Sequence, residues 1–208
     1  MIKSGNHILF QGDSITNAFR MPGEVCNAYQ LGAGYAMMAA AQLLASHPHD
    51  NLQFTNRGVS GEGIKGLRRR WQADCIDLKP DVLSILIGVN DSKISQNSQA
   101  LPLEEYEQEY RNLLIQTRIE LPNVKIVLCE PFLLKAGIVT DWALNDVAER
   151  AKIVQKLAKE FDTVLVELQT VFADALKIAP ANYWSFDGIH PNAQGHWLMA
   201  EAWLKAIK

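Results

Sequence analysis

Ser14 lies in Gly12-Asp13-Ser14-Ile15, just after a short apolar run. A serine hydroxyl attacks carbonyl carbon only when a base removes its proton and a third group holds that base. Near the other end of the chain, Asp187-Gly188-Ile189-His190-Pro191 supplies such a pair. In a turn of this length the Asp187 carboxylate can accept from His190 Nδ1–H and leave Nε2 free to face Ser14. The tetrahedral oxyanion of such a reaction needs preorganised donors. The candidates are the Ser14 N–H, the Gly58 N–H in Asn56-Arg57-Gly58-Val59-Ser60-Gly61, and the Asn90 amide in Gly88-Val89-Asn90-Asp91. Glycine suits position 58 because a side chain would hinder approach of the backbone to a substrate. Asp13 organises the turn around Ser14 and stands outside the catalytic set, and Asn90-Asp91 also fits an Asx-turn.

These segments are far apart in sequence, so the fold must bring them together. Short runs rich in β-formers alternate with helical periodicity, the pattern of an α/β domain with a parallel sheet. Strands are predicted at His7 to Gln11, Leu52 to Asn56, Asp81 to Ile87, Val124 to Cys129 and Thr163 to Val166. Helices are predicted at Gly34 to Ser46, Ile64 to Leu78, Leu103 to Leu121, Trp142 to Phe161, Val171 to Ala179 and Ala193 to Ile207. Pro80, Pro122 and Pro180 each follow a helical stretch and punctuate one domain spanning 1–208. In a parallel sheet of this kind the ligand crevice lies beyond the carboxyl ends of the strands. The clusters at Ser14, Gly58 and Asn90 each follow a strand and must meet on that edge.

Taken in order, the four clusters resemble the sequence blocks of the SGNH (GDSL) hydrolase superfamily, named for its catalytic Ser, Gly, Asn and His. The resemblance implies a three-layer α/β/α sandwich with a five-stranded parallel sheet in flavodoxin-like order 2-1-3-4-5. It also implies serine esterase activity without a cofactor, with Ser14, Asp187 and His190 catalytic and Ser14, Gly58 and Asn90 forming the oxyanion hole. The usual Gly-Asp-Ser-Leu reads Gly12-Asp13-Ser14-Ile15 here, a change in packing and not in chemistry. Leu31-Gly32-Ala33-Gly34-Tyr35, Lys79-Pro80-Asp81 and Trp184 are similar to small bacterial acetylxylan and carbohydrate acetylesterases. The expected substrate is then a short-chain, acetyl ester of a saccharide. Nothing in the chain resembles an insertion that would house a fatty acyl tail. Trp184, as a substrate contact, and Trp142 offer faces for a sugar ring, against the alternative that Trp184 packs in the core. A thioesterase or lysophospholipase on the same machinery, or a non-catalytic carbohydrate- or nucleotide-binding domain, are the alternatives.

Other readings are weaker. The net charge of −3 provides no basic field for nucleic acid or an anionic membrane, and a small ester is the easier partner. Homo-oligomerisation stays open. Gly61-Glu62-Gly63-Ile64-Lys65-Gly66 matches the dinucleotide fingerprint literally, but it follows the second strand, and Asp81 opens the third strand instead of ending one. His47-Pro48-His49-Asp50 lacks further ligands at convincing spacing, so no metal is expected. Arg68-Arg69-Arg70 reads as a solvated helix face. Cys26, Cys75 and Cys129 read as thiols in a reducing compartment, two of them in the core. The first residues run into a strand without a secretory signal pattern, and no apolar run approaches the roughly 20 residues of a membrane helix, so a cytoplasmic protein is expected.

Overall fold

The computed structural model describes residues 2–22, 27–94 and 99–208. Its sheet has five parallel strands: β1 (His7–Gly12), β2 (Gln53–Asn56), β3 (Val82–Leu86), β4 (Lys125–Cys129) and β5 (Val164–Val166). They lie in the order β2-β1-β3-β4-β5, as the resemblance implied. The helices are α1 (Ser14–Asn17), α2 (Asn27–Gln30), α3 (Tyr35–Ser46), α4 (Ile64–Arg69), α5 (Leu103–Glu120), α6 (Asp141–Glu160), α7 (Leu168–Ala175), α8 (Ala181–Trp184) and α9 (Ala193–Ala206).

The layering follows from strand order and handedness. The connection from β1 to β2 runs one way along the sheet, and the later crossovers run the other way. Right-handed crossovers therefore set α3 on one face and α4, α5 and α6 on the opposite face. Because strand side chains alternate, Ile8, Phe10, Val82 and Leu86 join one core with Ala36 and Ala39 of α3 and Met199 and Trp203 of α9. Leu9, Leu83 and Ile85 join a second core with Leu67 of α4, Leu113 and Leu114 of α5 and Leu157 of α6. Ser84, buried mid-strand, is satisfied by the Trp203 indole N–H at 3.0 Å.

The direction of travel reverses between β1 and β3, so a crevice opens at their carboxyl ends. Gly12 pairs in register with Leu86 at that edge, which sets the Ser14 turn beside the Asn90 loop.

Some element bounds differ from expectation. The helix predicted over 64–78 is α4 followed by a π-helical turn at Gln72–Ile76, in which the Asp77 N–H reaches back to the Gln72 carbonyl. That wider turn keeps Trp71, Cys75 and Ile76 buried. The helix predicted over 171–179 instead begins at Leu168, where Glu130 accepts the Gln169 N–H at 2.9 Å, and its buried stripe is Leu168, Phe172 and Ala175. Pro180 opens α8. Cys75 and Cys129 are buried free thiols, and Cys26 lies outside the described residues. No described helix is long and apolar enough to cross a membrane.

Candidate active site

The turn after β1 is built by Asp13, which caps α1 by accepting the Ile15 N–H on Oδ1 at 2.9 Å. Ser14 is the first residue of that helix, where no preceding carbonyl is in position to take its N–H. Asp13 Oδ2 is buried without a partner among the described residues, and burial pushes the carboxyl up to about 7.

Ser14 Oγ lies 2.8 Å from His190 Nε2, and His190 Nδ1 lies 2.6 Å from Asp187 Oδ2. Burial alone would raise the Asp187 carboxyl, but the His190 ring and the N–H groups of His190 and Ile189 donate to it and hold it below the usual carboxylate range. An ionised carboxylate only accepts, so Nδ1 carries the ring proton and Nε2 accepts from the serine hydroxyl.

The turn that presents Asp187 and His190 is held from two sides. Buried Ser185 donates to the His190 carbonyl at 2.8 Å, and Ser185 bridges Pro191. From the loop after β4, the Leu134 N–H donates to the Gly188 carbonyl at 2.8 Å. The loop after β4 carries no sequence signal for this role, because its bond to Gly188 joins segments distant in the chain, whereas Ser185 acts within its own turn, five residues before His190.

Around Ser14 and His190 opens a cavity of about 690 Å³, whose walls include Ile15, Phe19, Gly61, Asn90, Phe186 and His196. Asn90 spends one amide hydrogen on the Glu62 carbonyl at 2.9 Å and has a second to offer. Gly58 is placed differently from expectation. Its N–H donates to Asn56 Oδ1 at 2.9 Å, and it does not line the cavity. A β-carbon at Gly58 would sit 2.9 Å from both Asn17 Cα and the Asp13 carbonyl, so the steric need for glycine comes from the Ser14 turn and not from a substrate.

Asn56 ties these segments together. Its side chain also donates to the Thr16 carbonyl at 2.6 Å and the Leu31 carbonyl at 2.8 Å, with the residue buried. An asparagine closing the second strand run was the available sequence signal for this role.

Trp184 requires a correction. It is 8% exposed, its indole N–H reaches the Ala175 and Ala179 carbonyls at 3.1 Å, and it does not line the cavity. Phe186, 65% exposed and stacked beside His190, lines the mouth instead, together with Phe19. Trp142 is half exposed and also lies outside the cavity wall. The arginine triplet is not uniformly solvated either. Arg68 pairs with Glu109, while Arg70 turns inward to Glu62, Gln11 and the Gly12 carbonyl beneath the Ser14 turn.

The glycine-rich decoy is explained by Asp91. Its carboxylate sits at the start of α4, with Oδ1 2.9 Å and Oδ2 3.1 Å from the Ile64 N–H, where a phosphate would have to bind. Asp81 is at the far edge of the sheet, accepting the His7 N–H at 2.7 Å.

Sequence comparison carries the same pattern. The model of the GDSL-like Lipase/Acylhydrolase family matches residues 10–198. The chain belongs to this family. As a GDSL-type protein of the SGNH fold, it is a carboxylic ester hydrolase. An acetylxylan esterase from Geobacillus stearothermophilus is 33% identical to it over 213 residues, covering 99% of this chain and 95% of the relative. A crystal structure of an acetylxylan esterase from that organism matches with a TM-score of 0.90 at 32% identity, over 99% of this chain and 95% of the other. A GDSL-like lipase from Parabacteroides merdae matches with a TM-score of 0.93 at 43% identity, over 99% and 97%. Alanine variants of the Geobacillus enzyme at a serine, an aspartate and a histidine are described as catalytic mutants.

Proposed function

We propose that this GDSL-family chain, acting as one domain, removes acetyl groups from xylan-type or related oligosaccharides through a Ser14-His190-Asp187 triad. The observation that carries the mechanism is the unbroken relay from Ser14 Oγ through His190 to Asp187, at 2.8 and 2.6 Å. His190 Nε2 takes the Ser14 proton as Oγ bonds to the ester carbonyl carbon. The oxyanion is held by the Ser14 N–H and the free hydrogen of the Asn90 amide. Gly58, whose N–H donates to Asn56 Oδ1, supports these donors by fixing the Ser14 turn against Asn17. The tetrahedral species collapses by breaking the bond to the alcohol oxygen, which leaves with the proton from His190. Water then attacks the acyl-serine, gives its proton to His190, and the same steps release acetate and restore Ser14.

Support for the substrate comes from the named relatives and from the mouth of the cavity. Ala18 and Phe19 both hold positive φ, at 40° and 60°, and Phe19 is thrust almost wholly into solvent at the rim. That conformation is unfavourable for a bulky residue and is retained where the surroundings impose it. Phe19 and Phe186 offer the flat apolar faces on which a sugar ring stacks.

The test is acetate release from acetylated xylo-oligosaccharides and p-nitrophenol release from p-nitrophenyl acetate, by wild type and Ser14→Ala. Both are expected from wild type and neither from the variant. Equal rates in the two proteins would sink the mechanism. A preference for esters of long acyl chains would sink the acetyl assignment.

A further inference from the structure

His196 lies on α9 and shares the cavity wall with His190, yet the triad has no use for it. Its Nδ1 accepts the Tyr35 N–H at the first turn of α3, at 3.2 Å. Nδ1 is therefore unprotonated, and the neutral ring carries its proton on Nε2. Burial, with the nearby His190 adding to it, lowers the imidazole to about 4, so this tautomer persists through the neutral range. The helix start that supplies the Tyr35 N–H also disfavours a cation there. Among the described residues nothing accepts from Nε2, although the ring borders the reaction cavity.

The surroundings are shaped to admit this ring. A β-carbon at Gly34 would lie 2.9 Å from His196 Cε1 and 2.6 Å from Ala18 Cβ. Gly34 and Tyr35, in the segment Leu31-Gly32-Ala33-Gly34-Tyr35, thus give the imidazole its space and its tautomer.

We propose that His196 is a substrate-binding residue on the alcohol side of the ester, donating its Nε2–H to a hydroxyl or ring oxygen of the departing sugar. The assignment rests on the acetyl-saccharide reading above. In that reaction His190 Nε2 hands its proton to the departing oxygen, so the sugar must lie against His190. His190, Pro191, Ala193 and His196 all line this cavity. A donor that stays neutral fits an uncharged polyol and does not oppose the positive charge that His190 acquires in the transition state.

Two substitutions separate the two ends of the imidazole. In His196→Asn the side-chain oxygen can replace Nδ1 as acceptor for Tyr35, but no donor reaches the Nε2 position. In His196→Gln the amide nitrogen reaches the Nε2 position, but the Tyr35 acceptor is lost. With the Asn variant, kcat/KM on an acetylated xylo-oligosaccharide is expected to fall about tenfold, chiefly through KM, while p-nitrophenyl acetate turnover stays within about twofold. With the Gln variant, the preference for the sugar ester is expected to survive while the thermal midpoint drops. Equal losses on both substrates, no loss on the sugar ester, or a Gln variant that loses the sugar preference would each overturn the assignment. Wild type that cleaves p-nitrophenyl acetate but no acetylated sugar would sink the saccharide reading and His196 with it. Wild type that cleaves both, beside an Asn variant unchanged on either, would sink His196 alone.

Discussion

Gly58 is packed against Asn17 so closely that a β-carbon would fall 2.9 Å from Asn17 Cα, while Asn17 Nδ2 donates to the Gly58 carbonyl at 2.9 Å. The loop after β2 and the helix that carries Ser14 are thereby built as one unit. Gly58→Ala must push the Ser14 turn aside, at a cost of roughly 1–3 kcal/mol for overpacking. Loss of activity is expected together with a lower thermal midpoint. An unchanged midpoint would show that the turn yields without strain.

Asp187 accepts the ring Nδ1–H and backbone N–H of His190 and the N–H of Ile189, and so orients His190. Asp187→Asn keeps the shape but allows the wrong tautomer, and kcat is expected to fall by about 10⁴ with little change in unfolding. Measured turnover within a few-fold of wild type would mean that another group orients the base.

Asn90 borders the cavity with one amide hydrogen uncommitted among the described residues. If that hydrogen meets the oxyanion, Asn90→Ala lowers kcat about a hundred- to thousand-fold and leaves KM nearly constant. A loss appearing only in KM would place Asn90 in ground-state binding.

Asp13 is the pH-sensitive group behind the nucleophile. Its carboxyl is held at about 7 in the fold by burial, against 3.8 for an ordinary aspartate. A raised folded value means that the folded state keeps a proton which the unfolded chain releases. This contribution is therefore complete below pH 4 and is lost as pH rises to about 7. Asp91, raised by burial to about 6, acts in the same sense. Asp13→Asn retains an acceptor for Ile15 and is expected to flatten the fall of stability between pH 5 and 7, read from denaturant midpoints. Parallel slopes in the two proteins would assign the dependence to other groups.

Phe186 and Trp184 divide the aromatic roles. Phe186→Ala is expected to raise KM for acetylated oligosaccharides several-fold and to leave p-nitrophenyl acetate little changed, a stacking contact being worth about 1 kcal/mol. Trp184→Phe should lower the thermal midpoint, since it strips a donor from the Ala175 and Ala179 carbonyls, and leave KM alone. The reverse pattern would return Trp184 to the substrate.

Local chemistry made much of this protein legible before its fold was known. Strand runs, proline stops and the glycine-rich segments after strands are short-range signals, and with the family resemblance they determined the sheet, its order and the positions of Ser14, Asn90, Asp187 and His190. The Asp187-His190 spacing holds its own geometry because both residues belong to one turn. Tertiary structure alone decided which way individual side chains face. Trp184 faces inward and Phe186 outward although only one residue separates them. Gly58 spends its N–H on Asn56, and His196 has its tautomer set by Tyr35, far away in sequence. These outcomes depend on contacts between elements that meet only when the sheet closes. Composition could therefore place Ser14 after β1, but packing had to decide what surrounds it.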